Sequence, residues 1–437
     1  MSAKLTDEVL PPYTKSYMIL PNITHDIHHF HLASPQLYVA FMKLFARIVL
    51  MKTIGIIMEC NPFHKGHEYI LTAAKEKFGA DRIVVVLSGD HVQRGEPAIM
   101  DKFARTQCVL HAGADLVLEL PVPFATGSAQ YFARGAVSTL LHTGVVDTLL
   151  FGSECGDIQT LQQHITDADE TPTTSGHSGR HTSMEERLSP NDLLAAEYLK
   201  ALDHVHSGMS AQTITRIGAA YNETALTQNF ASASGLRAVL AAGENSLAEA
   251  SSYMPAYAYD VLETYSAEHH LLSINAYSDL LCYALLREST EGYTKYFDVF
   301  DDLSQKIRSN LTDFVDVSSF IAQLKSKDIT YSHLSRALLH ILLGITKEHV
   351  SLLTDTFDYC PYLRILGLRK DASDLLHSVK ENAGRPIIAK PADARTLLSP
   401  DAFRLFEKDI FASALYARCA SKSGGTVSEY RRSPVLI

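Results

Sequence analysis

The stretch Met51-Lys52-Thr53-Ile54-Gly55-Ile56-Ile57-Met58-Glu59-Cys60-Asn61-Pro62-Phe63-His64-Lys65-Gly66-His67 decides the fold. Lys52–Met58 is an almost continuous apolar run, the pattern of a parallel strand buried on both faces. A short polar break follows, and helical periodicity takes over across Lys65–Phe78. The same alternation then repeats. Arg82–Leu87, Asp115–Leu120 and Val146–Phe151 read as further buried strands, with Lys102–Ala112 and Ser128–Thr143 as helices between them. Gly113 and Gly144 stand just past two of these helices, where a C-terminal cap requires positive φ. Strands alternating with helices through short loops predict an α/β fold, a doubly wound parallel sheet. Such sheets bind ligands at the carboxyl ends of their strands.

The residues just after each strand are accordingly the candidates. His64-Lys65-Gly66-His67 sits between the first strand and its helix. A helix start offers free N–H groups and a positive dipole end, which suit phosphate. Two imidazoles three residues apart lie on one helical turn. Both can donate to phosphate oxygens as charge builds there. Gly66 has no Cβ, which allows close backbone approach. Ser88–Pro97 follows the second strand as a polar loop with two glycines, and Gly152-Ser153-Glu154 follows the fourth. Alone, each of these loops would pass for a plain turn.

The 437-residue chain is 46% hydrophobic and 20% charged, which excludes a disordered, collagen-like or rod-like protein. Its net charge of −10 argues against non-specific coating of nucleic acid. Cys60, Cys108, Cys155, Cys282, Cys360 and Cys419 are scattered, so no metal ribbon or redox pair is spelled out. Single cysteines suit a reducing, cytoplasmic location. No apolar run is long enough for a membrane span. Residues 1–50 carry Pro11, Pro12, Pro21, Pro35 and the His-rich stretch His25–His31. They read as an extension that is not part of the fold, with Met51 as a candidate biological start. Residues 167–189 are polar and rich in Thr, Ser and Gly, and read as a flexible surface loop. From about residue 244 helical periodicity dominates, as in Ala256–Glu263, Leu280–Arg287, Ser332–Leu343 and Ala372–Glu381. Residues 51–243 and 244–437 are thus expected to form an α/β domain and a mainly helical C-terminal domain. Residues 361–437 hold 13 Lys and Arg against 8 Asp and Glu. A basic end on an acidic chain suits RNA backbone contact, and solvated helix faces are the bland alternative.

His64-x-Gly66-His67 resembles the HxGH signature of the nucleotidyltransferase superfamily, whose domain is Rossmann-like. More narrowly, the motifs GIIxExNPFHxGH, SGDxVQRGEPAxxDKxxR, GADLVxELP and FGSE resemble the bacterial tRNA(Met) cytidine acetate ligase family. The resemblance continues through Ser189–Leu193, Thr215–Ala219, Ser232–Arg237, Arg336–His340 and Arg364–Gly367, and so spans about residues 51–437. It implies a ligase that activates acetate with ATP as acetyl-adenylate. The acetyl group then passes to N4 of the wobble cytidine of elongator tRNA(Met). His64 and His67 become the catalytic pair at the phosphates. The ATP contacts carried over are Ile57, Met58, Glu59, Cys60, Asn61, Pro62, Phe63, His64, Lys65, Gly66, His67, Glu68, Tyr69 and Ile70, with Gly152, Asn191 and Arg216. Mg²⁺ would arrive with the nucleotide, and no protein-held metal is implied. Arg364, Arg369 and Lys370 are candidate tRNA contacts from the basic end, and no membrane or obligate protein partner is implied. Lys65, Cys60 and His91 depart from the family's more usual Asn, Tyr and Phe, and Lys65 is expected to face solvent. A small-molecule nucleotidyltransferase, or a non-catalytic RNA-binding relative, is the competing reading.

Overall fold

The computed structural model of the chain describes residues 51–169, 188–216, 232–241 and 246–437. The expectations for residues 1–50 and for most of the 167–189 loop fall outside the described residues. The strands are β1 (Thr53–Met58), β2 (Arg82–Ser88), β3 (His91–Val92), β4 (Glu96–Pro97), β5 (Leu116–Leu120), β6 (Thr148–Ser153), β7 (Ser210–Thr215), β8 (Leu363–Leu368), β9 (Ile387–Ile388) and β10 (Val435–Leu436). The helices used below are α1 (Lys65–Glu76), α2 (Lys102–His111), α3 (Ala129–Leu141), α4 (Ile158–Asp169), α5 (Pro190–His204) and α6 (Ala233–Ala241). Later come α7 (Ala256–Glu268), α8 (Ser278–Glu288), α9 (Tyr331–Leu343) and α10 (Pro400–Ala420).

The main sheet runs in the order β10-β8-β5-β2-β1-β6-β7, with β9 also paired to β8. β1, β2, β5, β6 and β7 are mutually parallel. From β1 the chain winds outward through β2 and β5, then returns to the other side of β1 for β6 and β7. The winding reverses between β1 and β6, which opens a crevice at their carboxyl ends. The four expected strands and three expected helices are present. Burial explains them: Ile54, Ile83, Val84, Val85, Val86, Leu116, Val117, Leu118, Leu149 and Leu150 are all fully buried. Gly113 (φ +105°) and Gly144 (φ +69°) take the positive φ expected at their helix ends.

The C-terminal half is mainly helical but also extends the sheet. β8 pairs antiparallel with β5, and β10 and β9 run parallel to β8. Residues Lys52–Ile437 therefore form one compact unit. The helical region has its own apolar cluster, which includes Tyr277, Leu285, Phe320, Leu334 and Leu338. Helix α9 leans back on the α/β half, where Ser335 Oγ donates to the Gly95 carbonyl at 2.9 Å.

Candidate active site

The chain turns sharply after β1. Cys60 is buried in a left-handed conformation (φ 53°), and the Asn61–Pro62 peptide is cis. The turn is held from three directions. Asn61 Oδ1 accepts from Ile99 N at 2.7 Å. The Asn61 carbonyl accepts from Arg237 Nη1 at 2.7 Å. The Glu59 carbonyl accepts from Arg105 Nη1 at 2.7 Å. This delivers His64 to the N-cap of α1.

His64 and His67 cap that helix reciprocally, in the manner of a Ser/Glu capping box. His64 Nδ1 accepts from Gly66 N at 3.0 Å, and His67 Nδ1 accepts from His64 N at 3.2 Å. The rings lie 3.9 Å apart. Because each Nδ1 accepts an N–H, each ring carries its proton on Nε2. Burial and then the Arg216 charge push His64 down to about 3. Burial, His64 and Arg216 push His67 down as well. At neutral pH the pair is therefore two neutral imidazoles whose remaining Nε2–H groups can donate. The need for glycine at position 66 also becomes specific, since a Cβ there would fall 2.8 Å from His64 Cε1.

The nucleotide-side candidates converge across the β1–β6 crevice. A Cβ at Gly152 would fall 3.1 Å from Arg216 Cγ. Arg216, exposed at the end of β7, donates from Nη1 to Asn191 Oδ1 at 3.3 Å. Asn191 Nδ2 donates to Glu154 Oε1 at 2.5 Å, and Ser189 Oγ donates to Glu154 Oε2 at 2.7 Å. Asp192 Oδ1 accepts from Glu154 N at 2.8 Å, fixing the turn after β6 to the start of α5. Ser189 caps α5 and Pro190 opens it, so the SPND sequence is also the helix-start signal. This turn, Arg216 and the two histidines put hydrogen-bond donors and one cation around the mouth of the crevice.

The remaining stretch is partly scaffold. Ile57 and Met58 belong to β1, and Cys60 contacts Met58 Sδ through its thiol. Phe63 is buried, with its ring 5.4 Å from His67 and 6.1 Å from Tyr257. Glu68 accepts from the Tyr257 hydroxyl at 3.0 Å, and Tyr69 accepts from Lys77 Nζ at 3.0 Å. Ile70 packs against the core. Lys65 does not simply face solvent. Its Nζ donates to the Ser252 carbonyl at 2.7 Å. His91 fills an aromatic niche, bonded to the Tyr277 hydroxyl at 2.9 Å and edge-on to Tyr416.

The three basic candidates do not join this group. Arg364 is fully buried, donates to the Ala389 carbonyl at 3.0 Å and lies 3.6 Å from Glu429, so it has no face to offer RNA. Antiparallel β8 carries Arg369 and Lys370 to the amino end of β5, opposite the crevice. There Arg369 N donates to the Asp115 carbonyl. Arg369 is further engaged by Asp371 at 3.1 Å, whereas Lys370 is exposed.

Three cations that sequence reasoning left unassigned hold the site together. Arg105, fully buried, donates to the carbonyls of Met100, Glu59, Ser88 and Gly89. Arg237 ties Asn61 to Glu96, which lies 3.5 Å from it. Lys102, fully buried, meets Glu119 and Glu429 at 2.7 Å each and Ser413 Oγ at 2.9 Å. Their signal was present in the DKxxR and SASGLR motifs, but nothing in the spacing says that these side chains turn inward.

Residues 51–429 match the family described as HIGH Nucleotidyl Transferase. The tRNA(Met) cytidine acetate ligase of Thermoanaerobacter sp. (strain X514) is 35% identical over 390 residues, 84% of this chain and 95% of that protein. The same-named protein of Clostridium perfringens (strain SM101 / Type A) is 34% identical over 420 residues, 89% of this chain and all of that one. Crystal structures of Thermotoga maritima TmcAL superpose at TM-scores of 0.81 (apo) and 0.79 (with alpha-thio ATP). Each is 27% identical and covers 89% of this chain and 100% of that one. A motif, a crevice and a whole-length likeness thus agree, and the chain belongs to the tRNA(Met) cytidine acetate ligase family of HIGH nucleotidyl transferases.

Proposed function

We propose that this chain is an ATP-dependent tRNA(Met) cytidine acetate ligase. It activates acetate as acetyl-adenylate and acetylates N4 of the wobble cytidine of elongator tRNA(Met). The observation that carries the reading is the neutral, reciprocally capped His64–His67 pair at the start of α1, facing the Arg216 charge.

An anionic carboxylate must attack an anionic α-phosphate while pyrophosphate leaves. The two Nε2–H donors and the dipole end of α1 supply preorganised stabilisation of that charge. Arg216 adds a forked cation that can follow the phosphates. Asn191 and the Gly152 turn offer amide and backbone contacts for the nucleoside. Among the described residues no group of three or more His, Cys, Asp or Glu is set to hold a cation. In this proposal Mg²⁺ arrives held by the nucleotide's own phosphates. In this proposal residues 51–243 carry adenylation and residues 244–437 chiefly serve tRNA, although β8, β9 and β10 of the latter also complete the main sheet. Six free cysteines suit a cytosolic enzyme. Among the described residues no helix is long and apolar enough to cross a membrane.

The test is incubation with ATP, labelled acetate and a tRNA(Met) transcript. Label on cytidine is expected. ATP turnover that ignores acetate and needs a phosphorylated small molecule would replace the reading with small-molecule nucleotidyl transfer.

A further inference from the structure

The second half of the proposed reaction leaves a chemical role unfilled. When the cytidine amine attacks the acetyl carbonyl, the new C–N bond forms and the carbonyl–phosphate C–O bond breaks. AMP departs with the electron pair, and N4 must give up a proton. His64 and His67 are poorly suited to take it. Their Nδ1 lone pairs are committed to backbone N–H groups and their Nε2 atoms already bear protons. A second proton would create a buried cation facing Arg216.

The topology shows where to look. The candidate nucleotide contacts Gly152, Asn191 and Arg216 lie on the β6–β7 side of β1. The loop after β2, residues 89–97, lies on the other side; most of it is buried, and its half-buried residues Gln93, Arg94 and Glu96 mark where an acceptor would have to approach. Glu59 stands at the divide, one residue past β1. It belongs to the stretch carried over as nucleotide contacts, yet its carboxylate turns toward the β2 loop, where Oε1 accepts from Gln93 N at 2.6 Å. Its main-chain carbonyl is pinned by Arg105. The other carboxylates around this loop have different tasks. Glu96 pairs with Arg237, and Asp90 accepts from Lys102 N and from Ser413 Oγ. Glu119 pairs with Lys102, and Glu154 is bonded by Ser189 and Asn191.

We propose that Glu59 is the general base of the acetyl-transfer step, accepting the N4 proton as AMP leaves and later returning it to solvent. This rests on the ligase reading above. Burial raises the Glu59 carboxyl, against the Gln93 N–H and the charges of Arg237, Arg94 and Arg105. The buried Tyr198 hydroxyl, on α5, feels the Glu59 charge in turn. A raised carboxyl is a better proton acceptor near neutral pH.

The experiment separates the two half-reactions. Acetate-dependent ATP–pyrophosphate exchange reads adenylation without tRNA. Single-turnover transfer from preformed acetyl-adenylate to a tRNA(Met) transcript reads the second step. Glu59→Gln is expected to slow transfer by about 10²–10⁴-fold, the usual contribution of a general base, and to slow exchange far less. The wild-type transfer rate should fall toward acid pH, and that fall should be absent in this variant. Glu59→Asp keeps the carboxylate and should restore part of the transfer rate. Equal losses in both steps, or transfer within about threefold of wild type, would overturn the proposal. If Glu59→Gln does not fold, the acid limb of transfer decides: an unchanged limb in Glu59→Asp overturns it. No acetate-dependent exchange in the wild type would instead remove the ligase reading itself.

Discussion

At the scale of the residue, His64 and His67 cap a helix, and the proposed reaction gives each a chemical job as well. Substitutions can separate them. Asn is among the best N-cap residues, so His64→Asn keeps an acceptor for the helix start but loses the Nε2–H donor. Acetate-dependent ATP–pyrophosphate exchange should fall by about 10²–10³-fold, as when an oxyanion donor is lost. The thermal midpoint should move by only a few degrees. A large stability loss with activity retained would mean that the ring is needed for the fold and not for the chemistry. His67→Ala should abolish adenylate formation while tRNA binding, read by gel shift, persists. Retained exchange would take His67 out of the site. The spacing of the two histidines was legible in the sequence, because it follows from helical geometry after a strand. Their neutrality was not, because it depends on burial and on Arg216, nearly 150 residues further along the chain.

At the scale of the element, the short β3–β4 hairpin is the hinge pin between the two halves. Gly95 closes it with φ +78°, and a Cβ there would fall 2.3 Å from Arg336 N, in the first turns of α9. Both the backbone conformation and the contact exclude a side chain. Gly95→Ala should therefore destabilise by about 2–4 kcal/mol in urea, combining a strained φ with a forced backbone shift. A loss under about 0.5 kcal/mol would show that α9 is not seated on this hairpin. β1, β2, β5 and β6 were readable because each is a buried apolar run bounded by helix signals, whereas parallel β7 was not, being a largely polar, half-exposed strand at the sheet edge. β8 was not, since Arg364 interrupts Leu363–Leu368 and looks like a surface cation. It is tolerated there because carbonyl oxygens and Glu429 meet it in the interior. The two-residue strands β9 and β10 are too short to carry any period.

At the scale of the whole molecule, charge has to be sorted by burial before it means anything. The basic count of residues 361–437 includes Arg364, which is interior, so the sum overstated what RNA could touch there. The histidines show the same sorting in their response to pH. Burial holds His64 and His91 down at about 3 and His142 and His349 at about 4, and it lowers His67 and His340 as well. Unfolding releases these groups to about 6.5. Between those values the unfolded chain binds more protons than the folded one, so their contribution to stability is complete above about pH 6.5 and declines as pH falls. Raised acids such as Asp409, at about 6, act with the opposite sign, so the total curve mixes the two. A single substitution separates them. His91 is enclosed by Tyr277 and Tyr416, and the charges of Arg105 and Lys102 oppose its protonation. His91→Gln should be less stable than wild type at pH 7.5, where the Tyr277 bond counts fully. That gap should narrow as pH drops from 6.5 to 4.5, by up to about 1.4 kcal/mol per pH unit, the slope of one proton. Urea denaturation at four pH values reads the gap directly. Parallel stability curves for the two proteins would mean that His91 titrates alike in the folded and unfolded chains, and that this niche is wet enough to accept a charge.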